Sequence, residues 1–361
     1  MRLTLLVPEL LWPEPEDDLA WQALDCPALA TLLQRSELQR RPALAAEAQA
    51  ARWLGPTPQP LGALRLLGED GAALAPDTGI WLCADPIHLR LHQEEIIVAD
   101  SRELDLQAAE VETLAASLNA HYAGEASFHP VTASRWYVSL ETPWAAELPG
   151  DALPPLSAAA GRRLNLPTPA DLPSRRLLAL MNEIQMLLHS HPVNEARGER
   201  GLPAVNGLWL WGAGSLAAAA AAPQAGAIWS NQPLPRGLAR AAGLQHHPLP
   251  ASAHALLQAG PAAERHLVCL DDLLQAAQDQ DAQAWRDALA DLESRWFAPL
   301  KTALAKGRLS QLEVVAGTSY GDLTWQASPR QIKGGLFSSF FSFLAGKPEA
   351  LQQLARRLAA A

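Results

Sequence analysis

The sequence predicts an α/β protein: a main body built on a mostly parallel sheet flanked by helices, with a small inserted α+β unit. Three observations predict it. After residue 170, apolar strand-like runs alternate with amphipathic helical patterns, as in parallel sheets with crossover helices. Residues 80–141 read as strand, strand, helix, strand, a compact unit interrupting the main body. The chain has 361 residues, 49% hydrophobic and 18% charged, enough for two domains or one large domain with an insertion. The expected boundaries are 1–79 and 150–361 for the main body and 80–149 for the insertion.

The elements follow in order. Leu3–Val7 is an apolar run stopped by Pro8, and it is predicted as a first buried strand. Residues 17–52 alternate short apolar groups with charges at helical spacing, and "GPTPQPLG" (55–62) is a loop. "GIWLCADPIHLRL" (79–91) and "EEIIVAD" (94–100) are predicted as strands around a polar turn. "LQAAEVETLAASLNAHY" (106–122) is predicted as a helix, with Ala109, Val111, Leu114, Leu118 and Tyr122 near one face. "SRWYVSLE" (134–141) is a further strand. Proline is dense from 143 to 173, the pattern of a wandering connection. "SRRLLALMNEIQMLLHSH" (174–191) is a helix with Ser174 as candidate N-cap. Strands are expected at 207–211, 226–230, 266–272 and 311–317. Before the last of these, Trp285, Leu289, Leu292, Trp296, Leu300 and Leu304 step by three or four along a helix closed by Gly307.

Bulk properties exclude several classes. A formal net charge of -10 lacks the electrostatic footprint of non-specific nucleic-acid binding. Cys26, Cys83 and Cys269 form no CxxC pair and fit neither a disulfide framework nor a structural zinc site. No segment approaches the ~20 continuous apolar residues of a membrane span. The first residues lack the longer apolar region of a signal peptide, so a cytoplasmic protein is expected.

The chemistry-bearing stretch is "NGLWLWGAGSLAAAAAA" (206–222), read as strand, glycine turn and helix start. Unpaired N–H groups at a helix N-terminus attract anions, so Gly212, Gly214 and Ser215 form a candidate anion loop; tight steric packing explains the glycines equally well. Upstream, "HSHPVNEARGERGLPAVNG" (189–207) is dense in polar groups. His189 and His191 read as a metal pair or as helix C-terminal histidines favoured by the dipole. Arg197 and Asn206 read as ligand binders or as buried hydrogen-bond hubs. Asp279 and Asp281 precede a helix, where capping is their ordinary role. No P-loop, full GxGxxG, GxSxG or HExxH motif is present, and no cofactor is implied. In the tail, Leu336, Phe337, Phe340, Phe341 and Leu344 share a helical face that either packs on the core or docks a protein partner or membrane surface.

"NEIQMLLHSHPVNEARGERGLPAVNGLWLWGAG" resembles the RpfE-type regulatory proteins, distant relatives of archaeal-type cofactor-independent phosphoglycerate mutases of the alkaline phosphatase superfamily. "DTGIWLCADPIHLRL" resembles the mutase segment entering the inserted domain, with Arg90 at its arginine. "FHPVTASRWYVSL" resembles F-x-P-x-x-x-x-R, with Arg135 at its arginine, and "GAIWSNQPLPRGLARAAGL" resembles the stretch that follows. The resemblance implies an alkaline-phosphatase-like core. It also implies a cleft for an anionic small molecule, with Arg90, Arg135, Asn194, Arg197, Asn206, Gly212, Gly214 and Ser215 as candidate binders. The mutases hold two divalent metals with Asp and His at strand ends, and here the match puts Pro8, Leu274, Gln278 and the stretch Ala316-Gly317-Thr318-Ser319 at ligand positions. No Ser or Thr occupies 42–52, where the nucleophile belongs. The expectation is a non-catalytic regulatory or ligand-binding protein. The alternatives are a mutase or phosphatase with displaced ligands and an interaction protein acting through its tail.

Overall fold

The computed structural model describes residues 1–53, 55, 59–70, 79–92, 95–141, 153–161, 175–216, 226–259, 263–333 and 350–360. Its strands are β1 (Arg2–Leu6), β2 (Glu37–Arg41), β3 (Ile80–His92), β4 (Glu95–Ala99), β5 (Ala126–Pro130), β6 (Trp136–Leu140), β7 (Gly207–Gly214), β8 (Ala227–Trp229), β9 (Gln245–His247), β10 (Arg265–Cys269), β11 (Gln311–Thr318) and β12 (Gly321–Ala327). The chain divides into two units, one of residues 1–50, 223–231 and 243–361, the other of 51–222 and 232–242. The segment expected as an insertion, 80–149, lies wholly within the second.

The first unit is built on a seven-stranded sheet of order β2-β12-β11-β1-β10-β8-β9. β1 lies parallel to both β10 and β11, and β10, β8 and β9 continue the parallel set. β12 and β2 are antiparallel additions at one side. The predicted α/β class with a mostly parallel sheet flanked by helices is therefore the observed one. Leu3, Leu5 and Leu6 are buried, as a central parallel strand covered on both faces requires. The predicted stripe Trp285, Leu289, Leu292, Trp296, Leu300 and Leu304 is fully buried. It runs along a helix Ala282–Leu292, a π-helical turn Glu293–Phe297 and a helix Ala298–Ala305. The wide turn meets Pro299, which has no N–H for an ordinary helical bond. Asp281 caps this helix by accepting the Ala284 N–H at 2.9 Å.

The second unit holds a sheet of order β4-β3-β6-β5, with β7 also pairing antiparallel to β3. The predicted helix is observed at Ala108–His121, its Val111, Leu114 and Leu118 packed with Leu82, Trp136, Val138 and Leu210. On the other side of the strands lies a short helix, Leu61–Leu67, beside a helix Pro233–Ala242.

Two expectations need correction and three fall outside the described residues. Residues 17–52 contain helices Asp18–Trp21, Pro27–Arg35 and Ala46–Arg52, but also strand β2, which pairing with β12 imposes on a polar segment. β7 runs through Gly214, beyond the expected strand end at 211. Ser174 and the tail face Leu336–Leu344 lie outside the described residues, as does the alanine run 217–222. No helix of the described residues is long and apolar enough to cross a membrane.

Candidate functional site

In an open parallel sheet, ligands are held at the carboxyl ends of the strands where the strand order switches direction. In the first unit this is the end of β1, with β10 and β11 on its two sides. The Val7 N–H donates to Val315 O at 2.8 Å and the Glu9 N–H to Gly317 O at 2.9 Å, so β1 and β11 stay together past Pro8. Glu9 adopts the left-handed conformation, φ 56°, and is buried; its carbonyl accepts the Trp285 indole N–H at 2.8 Å. Burial, together with the Glu9 and Glu14 charges, raises the Tyr320 hydroxyl pKa above the usual tyrosine range. Its hydroxyl donates to the Trp12 carbonyl.

At the end of β11 there is no room for a side chain on residue 317. A β-carbon on Gly317 would lie 2.8 Å from Leu44 O and 3.0 Å from both polar atoms of the Gln49 carboxamide. Gln49 is fixed there by donating to buried Asp322 at 2.8 Å. Beyond β10, Asp272 is held by Arg295 at 3.1 Å. Burial first, and then the Asp271 charge, push the Cys269 thiol up to about 12, which leaves it an inert thiol. Gln278 is buried on the short helix Leu274–Gln278. Among the described residues no three His, Cys, Asp or Glu side chains gather as a metal site would require.

The second unit contains a buried polar cluster around Arg65. This guanidinium grips Asp85 with two bonds of 2.7 and 2.8 Å and donates to Trp136 O. It lies over the rings of Tyr137 and Trp211, 4.7 and 5.1 Å from their centroids. The Trp211 indole N–H also donates to Asp85 at 2.9 Å. Burial alone would lower the Arg65 pKa; the Asp85 carboxylate outweighs this and raises it. Next to this pair, Arg135 grips Glu69 at 2.7 and 3.0 Å, and the Tyr137 hydroxyl donates to Glu69 at 2.6 Å. Burial works to raise the Glu69 pKa, but these two donors bring it below the usual carboxylate value.

The sequence-predicted residues divide by their partners. Arg90 is exposed and paired with Glu103 at 3.1 Å, and Arg135 is the half-exposed partner of Glu69. Arg197 is fully buried and bonded to Pro203 O, Glu110 and Leu104 O. Asn194 bridges Leu188 O and Val205, and Asn206 both donates to and accepts from the Leu89 backbone. Both Arg197 and Asn206 thus tie separate backbone segments together by hydrogen bonds. Gly212, at φ 69°, lies where β7 carries one extra residue against β3, and a β-carbon on it would lie 2.9 Å from Gly62 N. The Leu61–Leu67 helix packs against β7 here, so close packing accounts for this glycine. A β-carbon on Gly214 would lie 2.6 Å from Pro60, and half-buried Ser215 follows the strand. His191 is not a helix C-terminal residue: its Nδ1 accepts the Val193 N–H at 3.2 Å as N-cap of the helix Pro192–Glu199, and its Nε2 meets Ser117.

Sequence reading missed Arg65, Glu69, Asp85, Tyr137 and Trp211. The available signal was a cation inside "LGALRLL" and a carboxylate inside "IWLCADPIHL", each in an apolar segment where an unpaired charge is too costly to keep.

Strand order and pairing thus define an open α/β sheet with antiparallel additions, joined in the same chain to an antiparallel α+β unit. Among solved structures, the chain is similar to the cofactor-independent phosphoglycerate mutase from Thermoplasma acidophilum DSM 1728, at 19% identity and a TM-score of 0.46, over 96% of this chain and 100% of that one. It is also similar to the PH0037 protein from Pyrococcus horikoshii, at 14% identity and a TM-score of 0.49, over 93% of each chain. No protein-family model and no curated protein matches the sequence.

Proposed function

We propose that this chain is a non-catalytic regulatory or ligand-binding protein, of the RpfE type its sequence resembles, on a phosphoglycerate-mutase-like scaffold. The observation that carries the reading is the closed end of β11. Residue 317 is a glycine whose side-chain space is filled by Gln49 and Leu44 O, in the stretch where the resemblance requires metal ligands. Pro8 follows β1 at another such position, and its side chain has no donor atom to offer. Two divalent cations need several carboxylates or imidazoles, and this donor set does not fit a pair of them. The ligand proposed is a small anion. Arg90 and Arg135 keep side-chain exposures of 49% and 36%, so they can exchange a carboxylate partner for a ligand, whereas Arg197 is enclosed.

A second reading, a metal-dependent mutase or phosphatase with displaced ligands, draws on Glu9 and Asp272, which follow the adjacent strands β1 and β10. One experiment separates the two. The purified protein is loaded with manganese, its metal content is measured, and 3-phosphoglycerate and a generic phosphate monoester are offered. The expected result is sub-stoichiometric metal and no turnover. Two manganese ions per chain together with turnover overturn the proposal.

A further inference from the structure

The seven-stranded sheet ends at β9 on one side and β2 on the other. β9 has three residues, too few to template another strand well. β2 has five, Glu37-Leu38-Gln39-Arg40-Arg41, and all but Leu38 are exposed. It pairs with β12 along one side. In an antiparallel ladder alternate residues direct their N–H and C=O groups to opposite sides, so part of the β2 backbone points away from β12.

The charges on this strand are arranged about its centre. In an antiparallel pairing of two copies across a two-fold axis at Gln39, Glu37 of each copy stands opposite Arg41 of the other. Gln39 then meets Gln39, and Leu38 meets Arg40. Opposed residues share a face with β-carbons about 4.5–5.5 Å apart, within reach of a carboxylate–guanidinium pair. Arg41 donates to Gln39 at 3.2 Å, and neither it nor Glu37 is ion-paired among the described residues. Neighbouring registers lack this match. Centring on Arg40 sets arginine against arginine, and centring on Leu38 sets Glu37 against Gln39 and carries Arg41 past the end of the partner strand, where Arg35 already belongs to a helix. Like charges directly opposed are destabilising, so the charge pattern selects one register.

We propose that β2 is the interface of a two-fold symmetric dimer, in which a second copy of this chain extends the sheet through Glu37–Arg41 pairs on either side of Gln39. The inference does not depend on the functional reading above. A single short strand makes a small interface, so the dimer is expected at protein concentrations on the order of 100 μM and dissociates on dilution.

Sedimentation equilibrium tests this on wild-type, Glu37→Arg, Arg41→Glu and the double variant, each checked for an unchanged circular dichroism spectrum and melting temperature. Each single variant places like charges face to face and is expected to weaken the dimer about tenfold or more; the double variant restores it. Independently, Gln39→Cys is expected to cross-link to itself under mild oxidation, since Cys26, Cys83 and Cys269 are buried. A wild-type protein that stays monomeric at all concentrations overturns the proposal. So does a double variant no better than the singles, or a Gln39→Cys protein that does not cross-link.

Discussion

Gly237 lies so close to Leu64 that a β-carbon on it would stand 1.7 Å from the Leu64 carbonyl oxygen. The contact is reciprocal: a β-carbon on Gly68 would stand 1.7 Å from Pro233 O. The helices Leu61–Leu67 and Pro233–Ala242 therefore meet backbone to backbone. Even one added methyl group must push them apart. Gly237→Ala is expected to destabilise the second unit by about 2–3 kcal/mol, the upper part of the overpacking range. Urea unfolding of the variant against wild-type measures this, and an unchanged midpoint would mean the helices separate freely.

The Arg65–Asp85 pair gives a second expectation. Removing one member of a buried ion pair leaves an uncompensated charge and costs about 3–5 kcal/mol. Asp85→Ala is expected to fall in that range. The double variant Arg65→Met, Asp85→Ala is expected to lose less than the sum of the two singles, because it removes both charges. A double-mutant cycle in urea reads the coupling directly, and additive losses would show that the pair contributes no coupling.

Glu293 caps a helix distant in sequence. Its carboxylate accepts the N–H groups of Ala28 and Leu29 at 2.7 and 2.9 Å, at the start of the Pro27–Arg35 helix, where Cys26 makes no side-chain cap bond. Glu293→Ala leaves two buried donors without an acceptor and is expected to cost about 1–3 kcal/mol. Glu293→Gln keeps an acceptor and is expected to cost less. Thermal melts of the two variants compare them, and equal losses would argue against the cap.

His266 makes stability depend on pH. Its Nδ1 accepts the Trp229 indole N–H at 3.1 Å and its Nε2 faces Ala263 O at 3.0 Å, a pattern that suits the neutral ring. Burial lowers its pKa from 6.5. The folded state therefore favours the neutral form. This contribution is fully present above the unfolded pKa of about 6.5 and is lost as pH falls through the lowered folded value. Unfolding midpoints from pH 8 to pH 5 are expected to decline in wild-type and to decline less in His266→Asn. Parallel declines would assign the acid sensitivity elsewhere.

Periodic segments were legible from sequence and paired ones were not. The Ala108–His121 helix and the Trp285–Leu304 stripe each bury a continuous face, so their spacing announces them. β2 has one apolar residue, Leu38, and becomes a strand only because β12 lies beside it. Gly212 left two readings open, an anion loop and close packing, because a glycine needed for either looks the same in sequence. Sequence left Arg197 open between binder and hydrogen-bond hub because its partners, Glu110 and two backbone carbonyls, are set by the fold rather than by neighbouring residues.

The place of β1 in its sheet has a consequence for how the chain is made. β1 is made well over two hundred residues before its two ladder partners, which begin at Arg265 and Gln311. During most of synthesis its apolar residues have no sheet to join, while most of the second unit, 51–222, has already emerged. Assembly of the first unit thus waits for residues 265–318, and a nascent chain arrested before residue 311 would leave β1 without one of the two strands that enclose its leucines.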